Sequence, residues 1–394
     1  MARVFDIPSF YRSDIATNLK TDRREADPRK LDISPSIVKK GNVTFKIARH
    51  FGFCFGVENA IETAFKAINE NPNKRLFLLS EMIHNPKVNQ DLKSRNVQFL
   101  RTPEGKEIIP FSELTPNDIV IIPAFGTTRE LVLEIKNLGI DPTLYDATCP
   151  FVEKVWNRSK QLGEKGFSVI IHGKYYHEET KATFSHAMSA APSVIVRNME
   201  EAKMLSYFIN GEKPFEEFYN LFAGKFSVDF NPSKHLSKVG VVNQTTMLAN
   251  ETREISQYFK DVMTKKYGED EIKNHFADTK DTLCYATQEN QEAVQELVKT
   301  GGDVAIVVGG YNSSNTTHLA AICRRYLPTF HIDSAEEIIN SENIYALSTA
   351  TNERELFANW LPIKNNIEVL ITAGASSPDS VVDEVIARIT HVVA

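Results

Sequence analysis

Past about residue 42 the chain alternates between two textures. Short β-branched or apolar runs occur at 43–47, 76–79, 119–122, 169–171, 239–242, 304–308, 344–347 and 369–371, each the length of one strand. Between many of them apolar residues recur at helical spacing, as in Val57, Ile61, Ala64, Phe65 and Ile68. This alternation predicts βα units and mostly parallel sheets, an α/β fold. Three stretches stand outside the rhythm. Residues 1–42 are polar and charge-rich and read as a partly ordered N-terminal extension. The stretch 200–236 holds Phe208, Phe215, Phe218, Tyr219, Phe222, Phe226 and Phe230 and looks like an insertion. The segment 261–281 carries both signs of charge and reads as a solvated helix and loop.

Several predicted strands run into small or polar tails: EMIHNP, HGKYYHEET, NQTT, GGYNSSN and TAGASSPD. Ligands of open α/β sheets gather at the carboxyl ends of strands, where helix N-termini present unpaired N–H groups. Taken together the tails read as a ligand surface; any one alone would suit a capped turn. His84, His177, Glu179, Ser313, Ser314, Asn315, Ser376 and Ser377 all lie in them. Histidines, hydroxyls and amides with backbone N–H groups suit a phosphate or diphosphate. No GxGxxG or Walker-type loop is present, which argues against a dinucleotide or nucleoside triphosphate.

Cysteines recur at what look like helix entrances, in FGFCFGVENAIETAF, DATCPFVEKVW and DTLCYATQENQEAVQEL. Pro150 follows Cys149 at a favoured first helical position. Ala293, Val294, Leu297 and Val298 continue an apolar face behind Cys284. A thiol at a helix N-terminus is held toward the thiolate by the macrodipole, so Cys54, Cys149 and Cys284 are candidate metal ligands. Three thiolates suit iron–sulfur chemistry better than a structural zinc, which takes four ligands, and leave one iron open to substrate. Gly52 and Gly56 would give a cluster room against the backbone, with Phe51, Phe53 and Phe55 as its dry wall. Cys323, in AAICRRYL, reads as a small core residue. The echo suggests three similar α/β domains, each contributing one cysteine.

Composition changes this picture little. A chain of 394 residues predicts two or three domains, and a net charge of −6 gives no basic stripe for nucleic acid. No apolar run approaches a membrane span, and the many Asp and Glu of the start argue against a transit peptide. Four cysteines without a CxxC pair fit a reducing cytoplasm.

FGFCFGVENA, EMIHNP, DATCPFVEKVW, HEET, QTT, LCYATQ, NSSNT and TAGASSPD, in that order, resemble the LytB family, the 4-hydroxy-3-methylbut-2-enyl diphosphate reductases. The resemblance runs from about residue 43 to the C-terminus and is nearest to the plant and cyanobacterial branch. It implies three α/β domains in pseudo-threefold arrangement around a central 4Fe–4S cluster held by Cys54, Cys149 and Cys284. The implied division is an extension at 1–42 and a strand with cysteine loop at 43–55 packing with the C-terminal domain. Domains at 56–148, 149–282 and 283–394 follow.

The implied reaction removes the substrate hydroxyl as water with two electrons, giving isopentenyl and dimethylallyl diphosphate, the last step of the methylerythritol phosphate route. Glu179 would supply a proton, Thr245 would orient the hydroxyl and Thr246 would support the same turn. His84, His177, Ser313, Ser314, Asn315 and Ser376 would hold the diphosphate. The donor would be a ferredoxin or flavodoxin. Many bacterial members carry a further diphosphate-binding histidine where this chain has Phe125, in PAFGTTRE; Thr127 and Thr128 are candidate replacements. Two other readings stay open on the residues alone, an iron–sulfur sensor and a cluster-free enzyme acting on a phosphorylated metabolite.

Overall fold

In the computed structural model, which describes residues 5–278, 282 and 284–394, the predicted strand runs emerge nearly as read. In chain order the elements are α1 (Asp14–Ala26), β1 (Ser36–Lys40), β2 (Val43–Ile47), α2 (Phe55–Glu70), β3 (Leu76–Leu78), α3 (Pro86–Ser94), β4 (Val97–Phe99), β5 (Ile119–Ile121) and α4 (Arg129–Asn137). There follow α5 (Pro150–Glu164), β6 (Ser168–His172), α6 (Glu178–Met188), β7 (Ser193–Val196), α7 (Met199–Asn210), α8 (Phe215–Leu221), α9 (Pro232–His235), β8 (Val239–Asn243) and α10 (Ala249–Tyr267). The chain continues through α11 (Ile272–His275), β9 (Phe276–Ala277), α12 (Tyr285–Lys299), β10 (Val304–Val308), α13 (Ser314–Arg324), β11 (Thr329–Ile332), β12 (Asn343–Leu347), β13 (Arg354–Ala358), β14 (Ile367–Ala373) and α14 (Asp379–Val393). Among the described residues no helix is long and apolar enough to cross a membrane.

The chain gathers into two compact units. The first comprises residues 1–62, 83–92 and 285–394. Its sheet has the order β1-β2-β14-β10-β11, parallel except for the edge hairpin β1–β2. Val304, Ile306, Val308, Val369, Ile371, Phe45 and Ile47 face α14 residues Val382, Val385 and Ile386 in its core. The run at 344–347 is not part of this parallel set. It pairs antiparallel with β13, because a strand's own pattern does not carry its partner's direction.

The N-terminal extension departs from expectation. Residues 5–42 are built into the first unit: Ala16 is fully buried, and Asp383 of α14 accepts from the N–H groups of Ile15 and Ala16 at 2.8 and 2.9 Å. A carboxylate at the first turn of α1 satisfies donors that a helix start otherwise leaves unpaired. The apolar residues here are few and widely spaced, and their partners lie more than 300 residues away, as the Ile15–Asp383 bond illustrates.

The second unit, residues 63–82 and 93–284, holds two parallel sheets of order β4-β3-β5 and β7-β6-β8-β9. The aromatic stretch is no appendage. It forms α7, α8 and α9, the crossover from β7 to β8, and its Phe208, Phe218, Phe222 and Phe230 pack on Ile170, Val239, Val241 and Phe259. Phe218 stacks on Phe222 and Phe230 with ring centroids 5.1 and 5.2 Å apart, so these rings are core. In the charged segment α10 runs to Tyr267 and a short strand β9 closes the sheet edge; residues 279–281, and Leu283 of LCYATQ, lie outside the described residues.

Candidate active site

All three candidate cysteines sit one residue ahead of a helix: Cys54 before α2, Cys149 as N-cap of α5 and Cys284 before α12. Each approach is tied to the carboxyl end of a strand in a different parallel sheet. Cys54 N–H donates to the Ala375 carbonyl beyond β14 at 3.2 Å, and Cys149 N–H to the Ala124 carbonyl beyond β5 at 3.0 Å. Thr282, two residues before Cys284, donates its hydroxyl to Asn243 at the end of β8 at 2.7 Å. Pro150 explains the clean start of α5, since it lacks the N–H that a first turn leaves unused. None of the four cysteines is in a disulfide. Cys323 is fully buried on α13, where burial pushes its thiol up to about 12, an inert core position.

Gly52 serves another purpose than the one expected of it. At φ +68° a side chain there would meet Lys20 Nζ at 2.9 Å and both Asp379 and the Ser377 carbonyl at 3.1 Å, so its missing side chain makes room for protein groups.

In the first unit the anion-binding candidates converge on the start of α13. Ser313 is its N-cap, accepting from Thr316 N–H at 3.3 Å and from the Thr316 hydroxyl at 2.9 Å. With both lone pairs used, the Ser313 hydroxyl has its proton left to give. Asn315 is 3% exposed, and neither its Oδ1 nor its Nδ2 has a hydrogen-bond partner among the described residues. An orphaned Nδ2 donor beside a helix N-terminus is what the oxygens of a bound anion would satisfy. Asn312 Nδ2 donates to His84 Nδ1 at 3.1 Å, which leaves Nε2 of the neutral ring as the N–H. Ser376 gives its proton to the His84 carbonyl at 3.2 Å and so tethers that residue's backbone. The start of α13 is pressed close on the strand ends, since a Cβ on Gly309 would stand 2.5 Å from the Thr316 hydroxyl and one on Gly374 would overlap it.

In the second unit Glu179 is the most enclosed acid of the site, 1% exposed in the first turn of α6. Thr245 donates its backbone N–H to Glu179 Oε1, and its hydroxyl also bonds the carboxyl. Burial outweighs these bonds and pushes the carboxyl up to about 7. His177 caps α6, its Nδ1 accepting from Glu179 N–H at 3.2 Å, so its neutral ring also carries the proton on Nε2. Gln244 organises the surround. Its Oε1 accepts from Thr180 Oγ1 at 3.0 Å and Lys174 N–H at 3.1 Å, while its Nε2 donates to Thr246 Oγ1 at 2.6 Å.

Phe125 meets His177 edge-on, with centroids 5.7 Å apart at 87°. Thr128 is spent as N-cap of α4, accepting from Leu131 N–H at 3.4 Å, and the Thr127 carbonyl bonds His186 Nε2 at 3.2 Å. The Thr128 hydroxyl also bonds the Glu130 carboxyl, so Thr128 has both its oxygen and its proton committed within α4.

The sequence reading missed Asn312, Gln244, Thr316 and Glu178. All four sit inside motifs already singled out, but a side chain that holds another, or a second acid beside the first, has no pattern of its own. Glu178 lies beside Glu179 and burial pushes it up to about 8; its Oε2 has no partner among the described residues.

Residues 45–390 match the profile of the family described as LytB protein. The chain belongs to the LytB protein family. Its curated relatives include proteins named 4-hydroxy-3-methylbut-2-enyl diphosphate reductase from a Picosynechococcus species and from Prochlorococcus marinus. The first is 40% identical over 351 residues, covering 89% of this chain and 85% of the relative. The second is 42% identical over 354 residues, covering 90% and 87%. Among solved structures, one described as (E)-4-hydroxy-3-methyl-but-2-enyl diphosphate reductase, the terminal enzyme of the non-mevalonate pathway, is similar with a TM-score of 0.51 at 27% identity, over 88% of this chain and 98% of that one. The Plasmodium falciparum reductase shares the fold at a TM-score of 0.62 and 20% identity, over 89% of each chain.

Does this LytB chain fit an iron–sulfur cluster? Among the described residues no group of three or more His, Cys, Asp or Glu is gathered to hold a metal ion. The ligands of a cluster bond different irons and need not meet at one point. The donor set fits by its chemistry: three thiols outside any disulfide, each at a helix N-terminus that favours thiolate.

Proposed function

We propose that the chain reductively removes the hydroxyl of (E)-4-hydroxy-3-methylbut-2-enyl diphosphate, giving isopentenyl and dimethylallyl diphosphate. The carbon–oxygen bond breaks, two electrons enter, one proton leaves with the hydroxyl as water and a second ends on carbon. Cys54, Cys149 and Cys284 would hold a 4Fe–4S cluster. When bound, that cluster supplies the electrons and, with three protein thiolates, one iron that has no protein ligand.

The residues of the chain bind and protonate. His84, Ser313, Ser314, Asn315, Ser376 and His177 hold the diphosphate, the two histidines as Nε2–H donors and α13 through its N-terminal N–H groups and dipole. Glu179 is the proton donor. A carboxyl pushed up to about 7 is still about half protonated at neutrality, and an arriving anion would raise it further. Thr245 orients that carboxyl, and Thr246, bonded to Gln244, fixes the turn that carries Thr245. Phe125 gives His177 an apolar edge contact where many bacterial members have a histidine. Electrons come from a ferredoxin or flavodoxin in a reducing cytoplasm, which suits four thiols outside disulfides.

The observation that carries this reading is the recurrence of a cysteine one residue ahead of a helix, three times, in a LytB chain. The test is anaerobic reconstitution followed by iron and sulfide analysis and turnover with a reduced donor. Cys54→Ser, Cys149→Ser and Cys284→Ser should each lose colour and activity. Three variants that all kept a full cluster would end the assignment.

A further inference from the structure

The loop that carries Cys54 is met residue by residue by the N-terminal segment. Lys20 Nζ lies 4.7 Å from the centre of the Phe51 ring and fills the space beside Gly52. Tyr11 meets Phe53 edge-on with centroids 5.6 Å apart at 69°. Phe5 meets Phe55 in the same manner at 4.8 Å and 76°. The four residues flanking Cys54 in the loop thus each have a partner from residues 5–20.

The segment is anchored in its turn. Thr17 donates to Asp379 on α14 at 2.9 Å, Lys20 pairs with the same carboxylate, and Asp383 caps α1. Asp6 N–H donates to Glu62 on α2 at 2.9 Å. Phe5 and Tyr11 are buried, whereas Phe55 keeps 44% of its surface exposed and Cys54 is half-buried. Gly52 N–H to the Ala373 carbonyl and Cys54 N–H to the Ala375 carbonyl, both at 3.2 Å, tether the backbone of the loop. Local opening of a loop is resisted by the side-chain contacts that pin it.

We propose that Phe5, Tyr11 and Lys20 form a clasp over the Cys54 loop, positioning the thiol and limiting the solvent that reaches it. They are positioning residues acting through Phe51, Gly52, Phe53 and Phe55. The consequence for a cluster rests on Cys54 being its ligand, as proposed above; the clasp itself is a property of the protein with or without metal. Thiol reactivity follows exposure and thiolate character, so the clasp sets how fast Cys54 reacts and how fast a bound cluster is lost in air.

The test is alkylation of the metal-free full-length protein by iodoacetamide, with rates read at each cysteine by mass spectrometry and Cys149 as internal reference. One aromatic contact changes an opening equilibrium by up to about tenfold, so Tyr11→Ala should raise the Cys54-to-Cys149 rate ratio by about that factor. Lys20→Met should raise it too, and Lys20→Arg, which keeps a cation for Asp379, should restore the parent ratio. Fully buried Cys323 reports global opening. Were Tyr11→Ala to expose Cys323 as well, the two Lys20 variants decide. A ratio unchanged in Lys20→Met overturns the proposal. In cluster-loaded protein the same variants should bleach faster in air. Failure of the parent to take up iron would count against the cluster and leave the alkylation result standing.

Discussion

The backbone N–H of Thr245 donates to the carboxyl of Glu179, which lies in the first turn of α6. The bond points the acid while burial raises its pKa so that a large share keeps its proton near neutrality, a combination suited to a proton donor. Glu179→Gln can still accept from Thr245 but has no proton of the right acidity to give. Turnover should fall at least about a hundredfold while the iron spectrum stays that of the parent. Parent-level turnover would remove Glu179 from proton delivery.

The same group sets a pH dependence. Its carboxyl titrates at about 7, so turnover should decline as pH rises through that value. Stability moves the same way. The native state holds this proton more tightly than the unfolded chain does, whose glutamate titrates near the ordinary 4.5. The contribution is full below 4.5 and is lost as pH rises toward 7, about 3 kcal/mol at most. Glu179→Gln should therefore raise Tm relative to the parent above neutrality, checked by thermal unfolding across pH. An unchanged difference between the two proteins from acid to alkaline pH would contradict the assigned titration.

Phe125 touches His177 through a ring edge and offers a diphosphate no hydrogen bond. Phe125→His would add a donor, and one charge-assisted bond is worth about 1.5–3 kcal/mol, so KM should fall by roughly tenfold or more. An unchanged KM would show that the position does not reach the diphosphate.

At the other group of anion candidates, Gly374 is held to its size by the Thr316 hydroxyl. Gly374→Ala should push the start of α13 off the strand ends, costing about 1–3 kcal/mol of stability and weakening diphosphate binding. Thr316→Ala in the same chain removes the overlapping hydroxyl and should recover part of the loss. Equal affinity in Gly374→Ala and parent would mean that the start of α13 does not hold the diphosphate.

Much of this was legible because the patterns are local. β-Branched runs at 43–47 and 304–308 became β2 and β10 without change, and Pro150 marks the start of α5 in the sequence itself. The three cysteines share a local setting that the structure repeats as three helix entrances. What was not legible is long-range. Tyr11 and Phe5 look isolated in a polar segment because their partners are the aromatic residues around Cys54. The phenylalanines of 200–236 look surplus because the sheet and helix they pack on come from both sides of them in the chain. The space beside Gly52 suggests a cofactor from sequence but holds Lys20, since a glycine shows that something is close but not what.

The most direct test of the central claim is an anaerobic visible and electron paramagnetic resonance spectrum of the reconstituted protein, with and without (E)-4-hydroxy-3-methylbut-2-enyl diphosphate. The expected result is an iron–sulfur spectrum that shifts when the diphosphate binds. A protein that takes up no iron and sulfide, or whose spectrum is indifferent to the diphosphate, would contradict it.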